Sequence, residues 1–195
     1  GDFLEFSNQV FNGSQTKQEQ HQVIKTKLAS LKHINIPNYL YRNNKDLTFA
    51  NISEEAGVNE PSMSNGAAYA DLDNDGDLDM VVNNINAKAF VFVNNTIVKG
   101  EPIQNHFFKV HLKGGSLNKN AFGSKVLLYS KGQVQMQEQN PVRGYFSCVD
   151  GDLLFGLGNN LLADSLVVIW PNNKKQVILN LPADTTIIVS HLNTD

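Results

Sequence analysis

The chain has one cysteine in 195 residues, Cys148, which excludes an internal disulfide, and no Cys or His falls at the spacing of a zinc site. Its place in the apolar run FSCV predicts a packed strand residue. No apolar run approaches the ~20 residues that span a bilayer, and no signal peptide opens the chain, so no direct membrane insertion is expected. Lys and Arg nowhere cluster densely, and aromatic residues do not interleave with basic ones, which argues against nucleic acid as a partner. HExxH and GxSxG are missing as well, and His21, His33, His106, His111 and His191 are scattered. His106 and His111 flank an apolar strand, where surface or edge placement is the expectation. No catalytic residue is singled out, and the chain is not expected to be an enzyme.

What is present suffices for a buried core: 41% hydrophobic residues, in a length that accommodates one large domain or two small ones. The net charge of -3 hides an asymmetry. Nineteen acids less the five of DLDNDGDLD (71–79) leave 14, against 16 Lys and Arg, so outside this stretch the chain is slightly basic and the acidity is local.

Within DLDNDGDLD the aspartates occupy every odd position around a glycine. A hard cation such as Ca2+ takes about 6 to 8 oxygens from a tightly curled loop, and this spacing can supply them. Asp71, Asp73 and Asp75 offer side-chain oxygens, Gly76 permits the sharp turn, Asp77 offers its backbone carbonyl, and Asp79 closes the shell. Leu72 and Leu78 can point into the adjoining core. Without a cation, two carboxylates ~5 Å apart repel by roughly 1 kcal/mol in water and ~3 kcal/mol at an effective dielectric of 20. An EF-hand needs a bidentate Glu at the twelfth loop position, which here is Val82. The flanking GAAYAD and MVVNN are strand-like rather than helical, so the loop is expected to clamp two neighbouring strands. A solvated acidic turn without an ion is the plainer alternative. A glycosidase pair needs one carboxyl with a raised pKa across a substrate, which a chelating cluster opposes.

Residues 14–33 carry Val23, Ile24, Leu28 and Leu31 at helical spacing, with Ser14 or Thr16 as cap, and predict one amphipathic helix that stops before Pro37. NYLYRNN (38–44) and DLTFANI (46–52) read as short strands joined by a polar turn, and Ser53 with Glu54 and Glu55 as a capped helical turn. NGAAYAD (65–71), LDMVVNN (78–84) and AFVFVNN (89–95) add three strands. The endings YLYRNN and VFVNN hint at an internal repeat of about 50 residues. After a seam at 96–105, eight strands follow: HFFKVHL, GSKVLLYS, QVQMQEQ, GYFSCV, DLLFGLG, SLVVIWP, KKQVILN and TTIIVSH. Turns at Lys131-Gly132, Asp150-Gly151 and Pro171-Asn172-Asn173 separate them, a density that predicts a β-sandwich or jelly-roll-like unit. Phe155, Trp170 and Tyr145 are either a ligand platform or core packing, with packing favoured. Gly156 and Gly158 read as requirements of a tight turn, since no helix follows to form a phosphate cradle.

NYLYRNNKDLTFANISEEAGV followed by SNGAAYADLDNDGDLDMVVNN resembles the FG-GAP or VCBS-type repeat of integrin-like β-propellers. That resemblance implies a calcium loop between the first two strands of a blade, with Asp71, Asp73, Asp75, Asp77 and Asp79 as ligand positions. NAFGSKVLLYSKGQVQMQEQ, RGYFSCVDGDLLFGLG and DSLVVIWPNN resemble the ASPIC/UnbV domain. The pattern departs twice: Asn173 stands where the W-P-x-G turn has glycine, and Leu154 precedes FGLG where a histidine is common. Cartilage acidic protein and large exported proteins of Bacteroidetes-type bacteria share this plan. A propeller closes with typically about four to eight blades. The chain holds the end of one blade and most of another. It also opens GDFLEF without an initiator Met, so the expectation is a C-terminal piece of a longer protein whose export signal lies upstream.

The expected fold is therefore mainly β: an N-terminal helical segment (1–37), a partial propeller blade with the calcium loop (38–100), and an all-β sandwich-like ASPIC/UnbV domain (101–195). Blade strands that would pair with missing neighbours are expected as exposed edges, or as edges covered by the N-terminal helix or by another copy of the chain. The expected function is a non-enzymatic, calcium-binding adhesion or ligand-binding module, exported to the periplasm, outer-membrane surface or extracellular space, with a glycan or protein as ligand. The alternatives are an accessory component of a glycan-degrading or uptake system, and a purely architectural cap of a propeller.

Overall fold

The computed structural model describes residues 16–30, 34–98, 104–144 and 147–191, with Glu5, Asn8 and Pro102 besides. Ser14, Leu31, His33 and Tyr145 lie outside them, as does the side chain of Leu28. Thr16 caps helix α1 (Lys17–Ser30), its hydroxyl accepting from Glu19 N. The Thr16 hydroxyl and amide both donate to Glu19 Oε2 at 2.8 Å, a capping box that holds the Glu19 carboxyl below the usual range. Gln20, Val23, Ile24 and Lys27 are half-buried at i, i+3, i+4 and i+7, so one face is covered. Only Val23 and Ile24 are apolar among its described side chains, which makes that face narrow.

The first part of the chain is built from short antiparallel pieces. Strand β1 (Ile36–Pro37) pairs with β4 (Pro61–Ser62), and β2 (Tyr41–Asn43) pairs with β3 (Phe49–Asn51). Strands β5 (Ser64–Ala70), β6 (Asp79–Asn84) and β7 (Phe90–Phe92) form a three-stranded sheet in that order. Ala70 pairs with Asp79, so residues 71–78 are the connection between two hydrogen-bonded strands. The turn after β3 is helical in its bonding, Ala56 N donating to Ile52 O, while Ser53 Oγ accepts from Leu40 N and donates to Asn51. In the β2–β3 hairpin Tyr41 and Phe49 are exposed, and Tyr39 stacks on Tyr41 at 6.3 Å. The hairpin is a two-stranded sheet of its own, separate from the three-stranded one.

The second part is a two-layer sandwich. Strands β8 (His106–Lys113), β9 (Lys125–Ser130), β10 (Gln133–Glu138), β11 (Val142–Gly144), β12 (Ser147–Cys148), β13 (Leu153–Gly158), β14 (Leu162–Ile169), β15 (Lys175–Pro182) and β16 (Thr185–Ser190) follow in order. One layer runs β10-β9-β14-β15 and the other β13-β8-β16, with β16 parallel to β8. Strict alternation along β8 buries Phe108, Val110 and Leu112, and β9 and β14 answer with Val126, Leu128, Leu166 and Val168. Phe155 and Trp170 belong to this same core, at 0% and 3% exposure, so they pack the sandwich and form no platform. On one side the layers are sewn by amides: Gln135, Gln137 and Gln139 of QVQMQEQ donate to the carbonyls of Gly156, Leu154 and Gly151.

Turn chemistry follows the sequence closely. Lys131 and Gly132 both take positive φ in the two-residue β9–β10 connection, and Asn173 adopts φ 63 where glycine would be ordinary. Three local readings change. GYFSCV is not one strand, because β11 and β12 pair antiparallel as a small hairpin. Cys148 is exposed rather than packed: β12 is a two-residue strand outside the two main layers, it lies beside β5, and Ser147 is the more buried of its two residues. Gly156 lies within β13 at a register shift against β8, whereas Gly158, at φ 56, enters the tight turn that Asn160 N closes on Leu157 O, so the turn reading holds for Gly158 alone.

Candidate metal centre

Residues 71–79 curl because two of them take left-handed backbone, Asn74 at φ 58 and Gly76 at φ 101. Side chains close the curl from inside: Asp75 N donates to Asp71 Oδ1 and Asp77 N to Asp75 Oδ1, both at 3.0 Å. As a result one carboxylate oxygen from each of Asp71, Asp73 and Asp75 lies within 4.8 Å of the others. Three all-oxygen anionic donors at that separation suit a hard divalent cation. A buried orphan adds to the fit. Asp77 is 6% exposed and its Oδ1 has no hydrogen-bond partner, which leaves uncompensated negative charge beside the cluster.

The other two aspartates have different neighbours. Asp79, almost fully buried, accepts from Leu72 N at 2.9 Å through Oδ2 and from Asn94 N at 2.8 Å through Oδ1. Asp77 Oδ2 accepts from Ile97 N at 2.8 Å. Burial pushes the Asp77 carboxyl up, against the pull of the Ile97 amide and with help from the charges of Asp75, Asp79 and Asp73. The loop thus divides: Asp71, Asp73 and Asp75 converge, while the carboxylates of Asp77 and Asp79 bind the backbone of the segment after β7.

The sandwich meets the loop from the opposite side. Phe107 and Lys109 lie on the face of β8 away from the core. The Phe107 ring lies so close to Gly76 that a Cβ there would sit 2.0 Å from Cε1. Lys109 Nζ is 2.6 Å from Asp71 Oδ2, with side chains 14% and 4% exposed. Beside this contact a cleft of about 590 Å3 opens, with Tyr69, Lys109, Glu138, Arg143 and Asp152 in its walls. Arg143 Nε donates to Tyr69 Oη at 3.0 Å, and His111 Nδ1 pairs with Asp152 at 2.6 Å. His106 pairs with Asp184 at 2.7 Å. Both histidines of HFFKVH therefore sit on strand β8 in carboxylate pairs.

Sequence reasoning missed Asn94, Ile97, Phe107 and Lys109, the residues that grip the loop from outside. The one available signal was HFFKVHLK itself: its alternation puts an aromatic ring and a cation on the face opposite the core, an unusual surface for a free sandwich.

Residues 34–82 match the family model of the FG-GAP-like repeat, and residues 114–195 match that of ASPIC and UnbV. The chain carries an FG-GAP-like repeat followed by an ASPIC and UnbV domain. The acidic loop falls inside the FG-GAP-like repeat, and FG-GAP repeats are typical of extracellular and cell-surface proteins. Together the two domains point to an extracellular, ligand-binding module. Among the described residues no helix is long and apolar enough to cross a membrane. No curated protein matches the chain. Asn94, Ile97, Phe107 and Lys109 all fall between the two matched stretches, whereas Tyr69 and Arg143, which hydrogen-bond to each other, fall one in each, so the joint draws on residues inside and outside the family models.

Proposed function

We propose that the chain is a non-enzymatic, calcium-binding adhesion or ligand-binding module, exported to the periplasm or cell surface, in which Ca2+ held by Asp71, Asp73 and Asp75 stabilises the fold. The observation that carries this reading is the convergence of those three carboxylates in a loop whose remaining acids already serve the backbone. A divalent cation there offsets mutual repulsion of roughly 1 to 3 kcal/mol per pair. Millimolar extracellular calcium is enough to fill a weak site of this kind. Asp77 and Asp79 are the supports of the loop in this reading, their carboxylates accepting the amides of Ile97, Leu72 and Asn94. The charged cleft between repeat and ASPIC/UnbV domain is the surface we assign to the glycan or protein ligand.

Calorimetry with millimolar Ca2+ tests the metal: the melting temperature rises in the wild type and not in Asp75→Ala. An unchanged melting temperature in the wild type overturns the reading. A glycan and protein binding screen with and without calcium tests the ligand, and Arg143→Ala is expected to weaken any ligand that occupies the cleft.

A further inference from the structure

We propose that Lys109 is a built-in counter-cation of the metal centre, so that it sets the centre's affinity and charge preference and couples cation binding to the grip of the ASPIC/UnbV domain on the loop. The inference rests on the calcium reading above and adds a residue from strand β8 of the sandwich. Lys109 Nζ sits 2.6 Å from Asp71 Oδ2, and Asp71 is one of the three converging carboxylates. Both side chains are largely removed from water, so solvent screens the ammonium only weakly. Asp71 is then shared: Oδ1 accepts the Asp75 amide, Oδ2 holds the ammonium, and a cation in the cluster must draw on the same carboxylate.

Charge counting gives the direction of the effect. Within the converging trio, three carboxylates carry three negative charges that a divalent cation with the Lys109 ammonium balances; Asp77 and Asp79, which accept backbone amides, add negative charge that is the same with or without Lys109. Removal of the ammonium leaves the loaded centre one unit negative. That favours a cation of either charge over wild type, and a trivalent one more than a divalent one, because the repulsion from the ammonium scales with the cation's charge. Linkage runs both ways: a cation on Asp71 loosens Lys109, and a firmly held Lys109 weakens the cation.

The test is titration calorimetry of Ca2+ and of Tb3+ into the full chain for wild type, Lys109→Met, Lys109→Gln and Lys109→Arg, with circular dichroism to verify the fold. The neutral variants are expected to bind Ca2+ roughly tenfold more tightly, and Tb3+ to gain more, while Lys109→Arg stays near wild type. Wild-type or weaker Ca2+ affinity in folded Lys109→Met overturns the role of Lys109 and leaves the calcium reading standing. Absence of binding in every variant overturns both. A second measurement needs no variant: the acetylation rate of Lys109 in the wild type, mapped by mass spectrometry, is expected to rise when Ca2+ is added, and a rate indifferent to Ca2+ overturns the proposal.

Discussion

Gly76 of the acidic loop lies directly against the ring of Phe107, close enough that a Cβ would stand 2.0 Å from Cε1, and it does so at a φ of 101. Two requirements therefore fall on one position, a left-handed backbone and the absence of a side chain. Gly76→Ala is expected to cost about 3 kcal/mol, from strain together with overpacking. In urea denaturation, a double-mutant cycle with Phe107→Ala separates the two, since the smaller partner relieves the clash and not the φ. A coupling of about 1 kcal/mol is expected, and a coupling of zero means that the repeat and the ASPIC/UnbV domain do not meet here.

Asp79 is an anchor for two backbone amides, Leu72 within the loop and Asn94 after β7. With Asp79→Ala both donors lose their partner, at a cost of about 3 kcal/mol, and Asp79→Asn keeps one acceptor and loses roughly half as much. The measurement is chemical denaturation in a chelator, where any contribution of the carboxylate to a cation is absent.

The Asp77 carboxyl is raised above its ordinary value of 3.8, first by burial and further by the negative charges of Asp75, Asp79 and Asp73. A carboxyl that is easier to protonate in the folded than in the unfolded chain contributes stability that is full below 3.8 and is lost as pH rises through its folded value. Metal-free protein is therefore expected to lose stability over that rise. Asp77→Asn, which keeps an oxygen for the Ile97 amide, removes this part of the loss and makes the metal-free chain more stable at neutral pH. A difference between the two stability curves that does not change with pH would contradict the assignment.

Phe155 separates structure from recognition in the ASPIC/UnbV domain. It is fully buried in the sandwich core, so Phe155→Ala is expected to cost about 4 kcal/mol in denaturant melts. Arg143→Ala, on an exposed side chain at the cleft, is expected to stay within about 0.5 kcal/mol of wild type. Folded protein with wild-type stability after Phe155→Ala would reopen an exposed aromatic platform.

Much of the fold was legible because its signals are local. Period-two alternation marked the strands of the sandwich, and Lys131-Gly132 and Asn173 marked turns whose positive φ the backbone adopts. The local errors share a cause. FSCV looks apolar enough to pack, and whether a strand is covered depends on which sheet lies over it, a property of partners far away in the chain. GYFSCV likewise divides between β11 and β12, whose antiparallel pairing with each other no local pattern announces.

For the acidic loop the division is sharper. Odd-numbered aspartates about Gly76 determine, by themselves, that the stretch curls and that negative charge concentrates there. Which carboxylates converge and which bind backbone is decided by the tertiary structure. Asp77 and Asp79 take Ile97 and Asn94 because the chain after β7 returns past the loop, and Asp71 takes Lys109 because β8 turns its outer face to the blade. A carboxylate goes to the donor that folding brings within about 3 Å, and sequence spacing constrains only the donors nearby in the chain.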